Sequence, residues 1–236
     1  MKPQVWLVRL WAPPARLDRL RRLLSPEERE RADRFVFDRL RPPFIVAHAA
    51  LRIVVARALG ADPTALRFTK GQYGKPRLRD TALELNLSHS GDWAMIALGH
   101  EHPVGVDIEG IHPPRVSPGM IEAVTSTTER AAFEAMPPER RAEPFFRLWV
   151  RKEAVIKALG TGLSRPLDSI DVPLGPEAPA DGVVLRPEPD PRLRSWLWDL
   201  AAPLGYFGAL VVRQPRDQTP LPPEPVQVLT LDELDA

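Results

Sequence analysis

Apolar and polar positions along the chain switch between a period of two and a period near 3.6, and the switches divide it into short strands and helices. Residues 5–10 read as an opening strand, stopped by Pro13-Pro14. A short Arg/Leu-rich helix is predicted over 15–24. Ser25-Pro26-Glu27-Glu28 starts another, with Ser as the cap, Pro at the first helical position and acids in the first turn. Ile45, Ala49, Arg52, Ile53, Ala56 and Leu59 recur at helical spacing, which predicts a core helix over 43–59 that stops at Gly60. Strands are predicted at 66–68 and 83–87. The apolar run 93–98 leads to the extended segment Gly105-Val106-Asp107-Ile108-Glu109. Helices follow over 118–124, 128–135 (capped by Thr127 or Thr128) and 145–159, the last with Gly160 as its stop. Short strands at 170–172, 182–185, 195–198 and 208–212 complete the pattern. Gly110-Ile111-His112-Pro113-Pro114 reads as a linker between halves, and the chain divides as 1–104, 105–213 and a Pro-rich tail over 214–236 that is expected to be extended and loosely held.

Composition narrows the picture. With 236 residues and 44% hydrophobic content, the chain can bury a sizeable core. The formal net charge of +1 leaves no nucleic-acid footprint over the whole chain, so any anion site must be local. There is no Cys, which excludes disulfides and thiolate chemistry and fits a reducing compartment. The first residues hold no apolar leader, and no run approaches the roughly 18 apolar residues of a membrane span. A cytoplasmic monomer is therefore expected, with no nucleic-acid or membrane partner. Only five of the 32 basic residues are Lys, and Lys75, Lys152 and Lys157 among them fall inside the densest motifs. A compact ammonium in an Arg-dominated chain hints that shape matters there.

Alternation sends Val106 and Ile108 of the extended segment to one face and Asp107 and Glu109 to the other. Two carboxylates that close repel each other, and a divalent cation between them relieves the repulsion. Trp149, Glu153 and Lys157 stand at i, i+4 and i+8 of one helix and share a face, with Lys152 beside it. Ser88-His89-Ser90-Gly91 offers hydroxyls and an imidazole suited to phosphate oxygens. Together these groups make a site for Mg²⁺-assisted chemistry on a pyrophosphate. No Walker loop, kinase signature or Gly-x-Ser-x-Gly elbow is present.

Tyr73-Gly74-Lys75-Pro76, Asn86-Leu87-Ser88-His89-Ser90-Gly91, Gly105-Val106-Asp107-Ile108-Glu109 and Trp149-x-x-Lys152-Glu153-Ala154-x-x-Lys157 occur in this order. In these motifs the chain resembles the Sfp-type 4′-phosphopantetheinyl transferases. The resemblance implies an α+β fold, a pseudo-dimer of two similar lobes with coenzyme A in the cleft between them. It implies Mg²⁺ on Asp107, Glu109 and Glu153, with Lys157 and Lys152 on the pyrophosphate side and Ser88 and His89 on phosphates. The turn Tyr73-Gly74-Lys75 is expected to hold adenine, and Glu129 matches an acidic position proposed as base. The implied reaction moves the phosphopantetheine arm of coenzyme A to a serine of an apo acyl or peptidyl carrier protein and releases adenosine 3′,5′-bisphosphate. Glu28 and Pro43 depart from the family pattern, in which basic residues hold the 3′-phosphate. Arg31 still matches, and Arg29, Arg39 or Arg41 can substitute. Another Mg²⁺-dependent phosphotransferase, a pyrophosphate hydrolase, or an inactive coenzyme A or carrier-binding module are the competing readings.

Overall fold

The computed structural model describes residues 2–71, 73–112, 116–176 and 181–234, the side chain of Leu163 excepted. Gln72, Pro113 and Pro114 of the expected turn and linker lie outside the described residues. In chain order the elements are β1 (Gln4–Arg9), α1 (Pro14–Leu23), α2 (Pro26–Asp33), α3 (Arg41–Leu59), β2 (Phe68–Lys70), β3 (Pro76–Leu78), β4 (Leu83–Ser90), β5 (Trp93–His100) and β6 (Val104–Gly110). There follow α4 (Pro118–Val124), α5 (Thr127–Glu134), α6 (Ala142–Leu159), β7 (Ile170–Asp171), β8 (Val184–Leu185), β9 (Leu193–Leu200), β10 (Tyr206–Pro215), β11 (Gln227–Leu229) and α7 (Leu231–Leu234).

The fold is α+β, with two lobe-like regions of sheet and helix. One sheet has the order β11-β1-β5-β4 and the other β6-β10-β9. Strand alternation sorts their side chains into layers. Val8, Ala94, Ile96 and Leu98 face α3, while Val5, Leu7, Met95 and Ala97 turn to the second sheet. From that sheet Val106, Ile108, Leu210 and Val212 meet them, and Ala209 and Val211 face α6 on the far side. The result is helix, sheet, sheet, helix.

A repeat that sequence identity does not show is plain in this architecture. Each lobe is a strand, two short helices, a long helix, a two-residue or three-residue strand pair, and an antiparallel hairpin. Ser25 caps α2 in a reciprocal capping box with Glu28, and Ser126, 101 positions on, does the same for α5 with Glu129. The cap of α5 is thus Ser126 rather than Thr127 or Thr128. Both long helices end at a left-handed glycine, Gly60 (φ 62°) and Gly160 (φ 69°), where a side chain would be strained.

The C-terminal tail departs from expectation. Gln227–Leu229 pairs in parallel with β1, and Leu229 and Leu234 are buried in the lobe-1 core. The prolines end at Pro225, and the Pro-free remainder regains both a strand and a helical turn. The helical stretch Asp38–Leu59 is long and apolar enough to cross a membrane by length and composition, a length the run-based sequence reading did not register, and 67% of its apolar window is buried against lobe 1.

Candidate active site

The site forms where β6 lies against α6. At Gly105 the two backbones come so close that a Cβ would stand 2.1 Å from the Ala154 carbonyl oxygen and 2.3 Å from the Ala158 nitrogen. Only a residue without a side chain allows this approach. Two residues on, the alternation of β6 turns Asp107 toward Glu153 and Lys157 on the same helix face. Lys157 Nζ donates to Asp107 Oδ1 at 2.5 Å and to Ser88 Oγ at 2.7 Å. Ser88 Oγ donates to Asp107 Oδ1 at 2.6 Å, and Ser90 Oγ donates to Glu109 Oε2 at 2.6 Å.

This polar ladder comes from β4. Asn86, Ser88 and Ser90 stand at i, i+2 and i+4 on one strand face, and Asn86 Oδ1 accepts from the Val106 nitrogen at 2.8 Å. Ser88 was expected on a ligand phosphate; here its hydroxyl is engaged with Asp107 and Lys157. Ser90, expected with Ser88 on phosphate oxygens, is instead bonded to Glu109, and Asn86 is a supporting position for which the sequence suggested no role. Their signal was the polar alternation of β4, which mirrors the acidic alternation of β6.

Asp107, Glu109 and Glu153 line one cavity, with the Lys157 ammonium beside them. Asp107 is 2% exposed, yet its Oδ2 accepts from no donor, and neither does the buried Oε1 of Glu153. Burial, then the charges of Asp107 and Glu109, push the Glu153 carboxyl up to about 6. Burial and the neighbouring Asp107 likewise raise Glu109, against the hydrogen bond from Ser90. Two unpaired buried carboxylate oxygens, and the raised pKa values of Glu109 and Glu153, are what a bound hard dication would satisfy and reverse. Among the described residues no three acidic or imidazole groups converge into a ligand set, and the Lys157 ammonium sits on Asp107 Oδ1. The donor chemistry fits Mg²⁺, with Asp107, Glu109 and Glu153 as the carboxylates at hand.

Leu87, Ser88, His89, Asp107, Glu109, Trp149, Glu153 and Lys157 line a cavity of about 270 Å³. Leu87 and His89 also line a larger groove of about 700 Å³ between α2, α3 and the β2–β3 hairpin. Small pocket and large groove are therefore neighbours with a shared wall. Arg31, Lys70, Gly74, Glu28 and His48 face the large groove. Partial burial, then the charges of Lys157, His48 and Arg31, lower the His89 pKa. Glu28, the departure from the family pattern, is held by Arg52 at 2.7 Å and His48 at 3.1 Å. Its pKa is lowered to about 2: burial opposes this, and the bonds from His48, Ser25 and Arg52 outweigh it.

Three expected site residues lie elsewhere. Glu129 is 3% exposed and absent from the walls of either cavity. Its Oε2 accepts from Lys152 Nζ at 2.5 Å and from the Ser126 nitrogen, and its Oε1 from the Val172 nitrogen at 2.9 Å. Three accepted bonds and its place outside both cavities set this carboxylate apart from any substrate proton, against its expected role as base, and make it a buried structural anion. Lys152, fully buried, spends its remaining donors on the Val124 and Leu167 carbonyls, which corrects its expected place on the coenzyme. Lobe 1 repeats the device: Arg52 bonds Glu28 and the Leu66 carbonyl, where Lys152 bonds Glu129 and the Leu167 carbonyl. Lys75 is the third. Its ammonium donates to the Val104 carbonyl at 2.7 Å, away from the groove that Gly74 faces. Tyr73 is exposed on the same turn.

Known proteins share both lobes. Residues 103–210 match the sequence family described as the 4′-phosphopantetheinyl transferase superfamily, and residues 9–101 match that described as 4′-phosphopantetheinyl transferase, N-terminal. The chain is 31% identical over 218 residues to 4′-phosphopantetheinyl transferase Sfp of Bacillus subtilis (strain 168), covering 92% of each. It is 32% identical over 180 residues to 4′-phosphopantetheinyl transferase HetI of Nostoc sp., covering 75% of this chain and 76% of HetI. The chain belongs to the 4′-phosphopantetheinyl transferase superfamily. Among solved structures, the holo-[acyl-carrier-protein] synthase of Thermotoga maritima aligns with 48% of this chain and 64% of its own, at 23% identity and a TM-score of 0.38. For this superfamily member, the acidic residues of β6 and the Glu153-Lys157 face of α6 fall within the stretch that the superfamily match covers.

Proposed function

We propose that the chain is an Sfp-type 4′-phosphopantetheinyl transferase, a cytoplasmic monomer that moves the phosphopantetheine arm of coenzyme A to a serine of an apo carrier protein and releases adenosine 3′,5′-bisphosphate. The observation that carries this reading is the gathering of Asp107, Glu109, Glu153 and Lys157 at one cavity, with two buried carboxylate oxygens left without a donor, beside a groove of about 700 Å³. The likeness to Sfp over 92% of each chain supports the narrower type. The same reading divides the chain at 104 and 105, one residue into β6, the strand that begins at Val104 and joins the second sheet.

Asp107, Glu109 and Glu153 would hold Mg²⁺, which supplies neutralisation of the pyrophosphate charge when bound. Lys157, 26% exposed at the cavity wall, would donate to a pyrophosphate oxygen and stabilise the charge that grows on the leaving group. Arg31 and His89 line the large groove and would meet phosphate there, while the turn at Tyr73 and Gly74 would contact adenine. With Glu129 committed elsewhere, Glu153, whose unpaired Oε1 belongs to the same cavity, would be the carboxyl to take the serine proton. Trp149 closes one side of the cavity, tilted against Phe145 at 6.1 Å between ring centroids.

Intact-mass measurement of apo carrier proteins after incubation with the chain, coenzyme A and Mg²⁺ tests this directly. A gain of one phosphopantetheine arm per carrier is expected. Hydrolysed coenzyme A beside unmodified carrier overturns the reading in favour of a pyrophosphate hydrolase.

A further inference from the structure

We propose that Lys75 is a positioning residue, whose ammonium fastens the turn between β2 and β3 to the strand that carries Asp107 and Glu109, so that the nucleotide end and the metal end of the site are held in one frame. This inference rests on the transferase reading for the identity of those two ends, and its geometry stands on its own.

Two observations point to a fastening rather than a ligand contact. The Lys75 side chain is 7% exposed and its ammonium donates to the Val104 carbonyl at 2.7 Å, with Glu84 at 3.8 Å as its nearest carboxylate. A buried ammonium whose one counter-charge stands 3.8 Å away and partly exposed is costly, and an apolar side chain of the same length would be easier to bury. Burial accordingly lowers its pKa to about 8, with Glu84 acting in the opposite sense. What the charge obtains in return is one strong bond to a backbone that must sit within tight limits. Val104 immediately precedes Gly105, where β6 touches the α6 backbone, and Asp107 follows two residues later.

The turn itself is closed and seated. Gly71 donates to the Lys75 carbonyl and Gly74 to the Gly71 carbonyl, each at 2.9 Å. Its other side lies on the loop after α6: a Cβ on Gly162 would meet Tyr73 Cβ at 3.2 Å, and one on Gly160 would meet the Lys75 stem at 3.9 Å. Thus the turn bears on β6 through the ammonium and on the end of α6 through Tyr73 and the Lys75 stem. Those are the two elements that supply Asp107, Glu109, Glu153 and Lys157. Gly74 and Pro76 line the groove on either side of Lys75, which turns away from it. Any shift of the turn is therefore passed to the carboxylates without an intermediate layer.

Lys75→Met keeps the unbranched stem and removes the donor. Loss of an outer support of this kind lowers metal affinity or turnover by about tenfold or more. The expected result is a fall of that size in kcat, a KM for coenzyme A unchanged within about twofold, and weaker binding of Mn²⁺ alone, followed by its electron paramagnetic resonance in the absence of coenzyme A. Thermal melting checks the fold; should Lys75→Met fail to fold, Lys75→Gln, too short to reach Val104, takes its place. A raised KM with unchanged kcat and Mn²⁺ affinity overturns the proposal, because Lys75 then acts on the coenzyme. A lowered Tm with both readouts unchanged overturns it as well, leaving plain structural support. If the wild-type chain modifies no carrier at all, the transferase reading falls, and the Mn²⁺ comparison still decides the role of Lys75.

Discussion

Gly105→Ala adds one methyl group where β6 and α6 touch, and the structure makes its effect calculable. The new Cβ would lie 2.1 Å from the Ala154 carbonyl oxygen, 2.3 Å from the Ala158 nitrogen and 2.9 Å from the Lys157 carbonyl carbon. These are backbone atoms of a helix and cannot swing aside. Ordinary contact begins at 3.4 Å, so the strand must withdraw from the helix by about 1.3 Å. Overpacking of this kind costs roughly 1–3 kcal/mol of stability. The functional loss is larger in proportion, because the withdrawal separates Asp107 from Glu153 and Lys157. Misplacement near 1 Å at a reacting centre lowers turnover about 100-fold. Steady-state transfer to a carrier protein, read beside a thermal melt, measures both terms. Gly119→Ala in α4 is the control, since a Cβ there meets nothing within 4 Å. If Gly105→Ala retains a kcat within about threefold of wild type, the close approach of β6 to α6 does not set the carboxylate geometry.

The other predictions concern charge. Glu153, ordinarily near 4.5, is raised to about 6, so the metal-free native state holds this proton more tightly than the unfolded chain does. That stabilisation is complete below pH 4.5 and is lost as pH rises through 6, a difference of roughly 2 kcal/mol. Glu153→Gln should therefore raise the metal-free Tm at pH 7 by roughly 4–8 °C while abolishing transfer, and equal melting of the two proteins would refute the assignment. Glu129→Gln leaves Lys152 buried without its anion and should cost roughly 3–5 kcal/mol in denaturant unfolding; a stable variant with lost turnover would restore Glu129 as the base. Lys157→Arg keeps the charge and changes its shape, so kcat should fall more than KM rises, whereas near-normal kinetics would make the Asp107 contact a mere surface pairing.

The face that carries the candidate site was readable because two simple periods specify it. Alternation places Asp107 with Glu109, and helical spacing places Trp149 with Glu153 and Lys157, whatever the rest of the chain does. Burial was not readable in the same way. Glu129 in a capping box looks alike in sequence whether it faces a ligand or a buried lysine. Lys152 precedes Glu153 by one residue, which is about 100° around a helix, and it points into the core while Glu153 meets the cavity. Sequence identity also concealed the repeat of the lobes. What the halves share is a few mechanical parts, a capping Ser and Glu, a buried cation and a terminal glycine, set in otherwise different residues. The tail was misjudged by composition, since its prolines stop just before the part that pairs.

The pairing of β11 with β1 bears on how the chain is made. Arg9 ends β1 and Gln227 begins β11, so 217 residues separate the end of one strand from the start of its neighbour. At a synthesis rate of roughly 5–20 residues per second, β1 waits about 10–40 s for that partner after it leaves the ribosome. In the interval β5 can satisfy only one edge of β1, and the other edge carries unpaired N–H and C=O groups on which a foreign strand can pair. The α3 surface that Leu229 and Leu234 later cover is open for the same time. Lobe 1 is thus begun before lobe 2 and completed after it, because β10 of lobe 2 ends at Pro215 and β11 begins only twelve positions later.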